Sequence, residues 1–275
     1  KQAISLYEPL FEESLHSDAA IVRETAVDGL IFIDRAEALK ILRKDYINDS
    51  STRVVQSIIR LANEVGSVDD LDWLAEKITA KTQVDISWLA MLKILKGSEA
   101  DVLDKWVDKI CITNGLGLSD VQKLSLLDIV EAKAEVENKV AVLAKIRPLM
   151  VDIYEKMGNF DQAASYAKLL LETATFDQKQ ILSERILSLY LKGNNIKAVS
   201  DMITEILAIH DLSPQSNVIV LLDAQLKNAS YVEANKVLLD ALQKVKLPRD
   251  AARPFWKQQL EEWLKIPGTV GAVEG

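Results

Sequence analysis

The chain has 275 residues but only one cysteine, two histidines, six prolines and ten glycines, and each scarcity removes a class of explanation. Cys111 alone cannot close an internal disulfide or supply a CxxC metal or redox pair, and it reads as a small apolar residue on a helix. His16 and His210 fall at expected turns far apart in sequence, without an HExxH pair, so no metal site is expected from them. Folds rich in strands need frequent Gly and Pro turns, whereas here the low usage of both points to helices joined by short polar turns. No apolar run reaches the roughly 18 residues of a membrane span, and no charged and apolar leader opens the chain. The first residue is Lys1, inside a stretch already periodic in apolar residues (Ile4, Leu6, Leu10, Phe11), which reads as a fragment or processed form.

Basic charge is also scarce. Residues 1–112 carry 14 basic and 20 acidic side chains, residues 113–247 carry 15 and 17, and residues 248–275 carry four of each. Nucleic acids and anionic membrane surfaces are held by clustered Lys and Arg, and no such cluster occurs, so neither is expected as a partner. The compartment stays open between cytoplasm and periplasm, because one cysteine suits either.

What is present is helical periodicity. Apolar residues recur at 3.6-residue spacing through nearly the whole sequence, interrupted by polar clusters such as Asn48-Asp49-Ser50-Ser51, Gly66-Ser67, Gly97-Ser98 and Gly158-Asn159. The pattern predicts an all-α chain of antiparallel helical hairpins stacked as a right-handed α-α superhelix, with 49% hydrophobic residues to fill its core.

In the first third, Asp18 precedes Val22-Arg23 and a small residue, Ala26. Asp49 precedes Arg53-Val54 31 residues later, and a third hairpin is expected from Val84 to Ile110. Residues 1–112 thereby resemble short HEAT repeats. The resemblance implies that Asp18, Arg23, Asp49 and Arg53 support one another between neighbouring repeats. The second unit reverses the Val-Arg order, and the third has no Arg.

A second frame begins with Tyr154-Glu-Lys-Met-Gly158-Asn-Phe160-Asp-Gln-Ala163 and Ala167. It recurs as Leu189-Tyr-Leu-Lys-Gly193 through Ala198 and as Gln225-Leu-Lys-Asn-Ala229 through Ala234, with key alanines 35 and 36 residues apart. Residues 144–247 resemble three tetratricopeptide repeats, whose period is about 34. Arg185 stands where that family has a core Leu, Glu205 replaces a small residue, and Ala229 replaces the turn Gly. Gly158 and Gly193 are expected to end first helices at sharp turns, with the alanines allowing the return helix to approach. Residues 113–143 read as a helical adaptor opened by a Ser119–Gln122 capping box, and Pro148 should open or kink a helix. A capping helix is expected over 248–266, with Pro254, Phe255, Trp256 and Trp263, and a flexible tail over 267–275.

No catalytic constellation accompanies this architecture. Cys111 has no histidine near it to act as base, and Gly115-Leu-Gly117-Leu-Ser lacks the lysine of a phosphate loop. The carboxylates Asp69, Asp70 and Asp72 read as a helix-start cluster complementing the macrodipole. Trp73, Trp88 and Trp106 read as packing between hairpins. The chain is therefore expected to be a non-enzymatic, cofactor-free protein-interaction scaffold. The alternative is a HEAT-like enzyme of nucleobase-glycosylase or chromophore-lyase type using the N-terminal concavity. Self-association through apolar end faces is a further possibility.

The tetratricopeptide resemblance implies that first helices line a groove for a protein or peptide partner. The corresponding positions are Lys145, Leu149, Asp152 and Lys156; then Gln180, Ser183, Glu184, Leu187 and Leu191; then Ser216, Ile219, Val220, Asp223 and Lys227. That mixture suits an amphipathic helix or an extended segment. Pro148, Asp152, Ser183 and Leu187 do not supply the family's carboxylate clamp, so chaperone tails are disfavoured.

Overall fold

The computed structural model describes residues 7–193 together with Asn195, Ala198 and Met202. These residues form eleven α-helices, with contacts mostly between sequence neighbours. The chain divides into two compact units, Lys1–Val142 and Leu143–Gly275.

The first unit contains α1 (Glu8–Ser14), α2 (Ala20–Ile33), α3 (Arg35–Asp45), α4 (Thr52–Val65), α5 (Leu71–Thr79), α6 (Val84–Lys96), α7 (Ala100–Val107) and α8 (Asp120–Val136). Local chemistry places several of the starts. The Asp34 carboxylate accepts from the amides of Ala36 and Glu37 at the head of α3, and Ser51 does the same for Val54 at the head of α4. Ser119 and Gln122 form the expected capping box at α8. A 3₁₀ turn, Val68–Asp70, leads into α5, and one π-helical turn, Asp108–Ile112, extends α7.

Helix α2 packs on α3 and α4, α4 on α6, and α6 on α5 and α8, while α7 packs on α8. Alternate helices thus form a continuous layer, and hairpin partners lie against it. The core between them holds Val27, Leu30, Leu42, Ile58, Ile59, Leu74, Met91, Leu95, Leu126 and Leu127, all essentially inaccessible. Fully burying one such side chain contributes about 1.5–3 kcal/mol, so this shared core dominates the stability of each helix. Trp73, Trp88 and Trp106 are buried in it, as the sequence led us to expect.

Polar ties between successive hairpins supplement the core. Arg23 donates from Nε and Nη2 to the two carboxylate oxygens of Asp49, at 2.8 Å each, and from Nη1 to the carbonyls of Ser17 and Asp18. Asp49 also accepts from the Ser51 amide, and Ser51 donates its hydroxyl to Glu24. Arg53 pairs with Glu24 and Asp28 at 3.5 and 3.8 Å. Gln56 donates to Gln83, Lys77 to Asn48, and Lys133 to the Ser98 carbonyl.

In the second unit, α9 (Val140–Lys156, which begins just before the unit boundary) is followed by α10 (Phe160–Thr173) and α11 (Phe176–Lys192). Helix α9 runs through Pro148 instead of restarting there. Gly158 has φ +75°, a left-handed conformation that ends the α9 turn at little cost for glycine. Gly193 serves a different need. A Cβ there would lie 3.1 Å from the Phe160 Cβ, so close approach is the constraint. Ala163, Ala164 and Ala167 are fully buried on α10, the helix that packs against α11. The expected third tetratricopeptide copy, the capping helix and the tail lie outside the described residues.

Candidate functional site

The α9 positions Lys145, Leu149, Asp152 and Lys156 follow one another at helical spacing and share a face. Lys145 and Leu149 are half-buried, while Asp152 and Lys156 are exposed. On α11 the side chains of Gln180, Glu184 and Leu191 lie outside what the structure describes, as do Ser216, Ile219, Val220, Asp223 and Lys227. Ser183 and Leu187 are buried and present no surface to a partner.

Charge pairing stitches α9 to α11. Arg185 donates to Asp152 and, at 3.0 Å, to Glu155, and Lys192 donates to Glu155 at 2.6 Å. The Lys192 and Arg185 cations hold the Glu155 carboxyl below the usual carboxylate range. Arg185 thus occupies a half-exposed, paired position and leaves no unmatched charge in a core site. A partner cation competing for Asp152 would have to displace it.

Beside this face lies a cavity of about 370 Å³, lined among the described residues by Ala144 and Pro148 of α9, Leu170 of α10, and Ile181 and Leu182 of α11, with Thr173 and Gln178 at polar positions. The Thr173 hydroxyl is turned back onto the Leu170 carbonyl, and the Gln178 carboxamide accepts from the Thr175 amide. Those two bonds leave the remaining wall predominantly aliphatic. Ile181 is 66% exposed, so an apolar surface adjoins the cavity. Pro148 has no N–H for the Ala144 carbonyl, so the helix wall at this point also lacks one ladder bond. The tetratricopeptide frame did not single out Ala144, Ile181 or Leu182. Pro148 within a helical period was the one signal in the sequence.

In the first unit, the polar and sulfur groups singled out in the sequence have the following settings. Asp70 is 1% exposed, accepts the Trp73 indole N–H at 3.0 Å, and closes a capping box with Ser67. The expected helix-start role holds, with Asp69 and Asp72 exposed and Asp70 part of the cap, but the Asp70 side chain is interior. Lys109 lies 3.2 Å from Asp72 and 4.4 Å above the Trp106 ring. Cys111 is half-buried in the π-helical turn, and burial pushes its thiol up to about 11, far from the thiolate a nucleophile needs. His16 stands at 3.2 Å from the Tyr46 hydroxyl, and burial raises the Tyr46 phenol above its ordinary value. His210 is outside the described residues. No three His, Cys, Asp or Glu side chains converge as metal ligands among the described residues, and no helix among them is long and apolar enough to cross a membrane.

No protein-family model, curated protein or solved structure matches the chain.

Proposed function

We propose that this chain is a non-catalytic protein–protein interaction scaffold, or the scaffold module of a larger protein. In this reading the first unit is a HEAT-like and the second a tetratricopeptide-like array of right-handed stacked hairpins, and a peptide or helix of a partner binds on the α9 and α11 side of the second unit. The observation that carries the proposal is the aliphatic cavity beside Pro148, flanked by the exposed Ile181 and close in sequence to Leu149 of the groove face. Such a concavity takes a large apolar side chain of an amphipathic segment, and the exposed Asp152 and Lys156 further along α9 supply polar contacts around it. The buried Ser183 and Leu187 confine this docking surface to the outer stripe of α11.

The test is affinity capture with the full chain and with a Leu149→Asp/Ile181→Asp variant, followed by mass spectrometry. Loss of a specific partner from the variant, with an unchanged far-ultraviolet circular dichroism spectrum, is the expected result. An identical partner set for both proteins removes this surface from consideration.

A further inference from the structure

We draw no further inference here: the strongest candidate, the first-unit cleft walled by Asp72 and Glu76 of α5 and by Gly115 and Leu116, is an acidic cluster whose Asp72 already holds the Lys109 ammonium, and nothing in the structure points to a ligand for it.

Discussion

The Asp49 carboxylate accepts two bonds from Arg23 and one from the Ser51 amide, joining the start of α2 to the start of α4. The Arg23 bonds, first among the causes, hold Asp49 below the ordinary carboxylate value near 4. A carboxyl depressed in the folded state contributes stability that is present above its unfolded value and disappears as pH falls through the folded one. Asp49→Asn is therefore expected to melt at a lower temperature at pH 7 and to show a shallower acid limb below about pH 4. Thermal melts across pH 2–7 check this, and coincident curves for both proteins would refute the assignment. Ser87 is the opposite case. Its hydroxyl is fully buried in α6 and has no hydrogen-bond partner among the described residues. Ser87→Ala removes that desolvated group, and the variant should be more stable by about 1 kcal/mol in urea denaturation with an unchanged m-value.

At the scale of single elements, the capped start of α8 was the most legible, because a capping side chain and the amides it satisfies lie within three residues. Ser119 shows this: its hydroxyl accepts from the Gln122 amide, and the Gln122 side chain accepts from the Ser119 amide. Ser119→Ala should cost about 1 kcal/mol in an equilibrium unfolding experiment. Pro148 was less legible. The sequence allowed a new helix or a kink, and the structure carries α9 through it, since proline removes one ladder bond while the turns on either side keep theirs. The two turn glycines look alike in sequence yet act differently, one by its left-handed φ and the other by its distance from Phe160.

Across the molecule, each helix packs chiefly on those one or two places away in sequence, so damage should spread locally. Ile58 is fully buried on α4, the helix touching α2, α3 and α6. Ile58→Ala is expected to cost about 3 kcal/mol. Hydrogen exchange should show protection falling first in α2, α3, α4 and α6, and later in α8. A uniform loss across the first unit would mean that it behaves as one cooperative block.

The sequence by itself determined the all-helical character and the positions of most turns, because helix period, caps and turn residues act over a few neighbouring positions; the Arg23–Asp49 tie, 26 residues apart, was reached only through the likeness to HEAT repeats. Only the tertiary structure decided that Ser183 and Leu187 are covered, that Asp70 is an interior partner of Trp73, and that Ala144, Ile181 and Leu182 share a cavity wall. A helical period shows that one stripe of a helix is buried. It does not specify which neighbour covers that stripe, nor where packed helices leave a gap. Those outcomes depend on distances between side chains some 30 residues apart along the chain, such as Arg185 and Glu155.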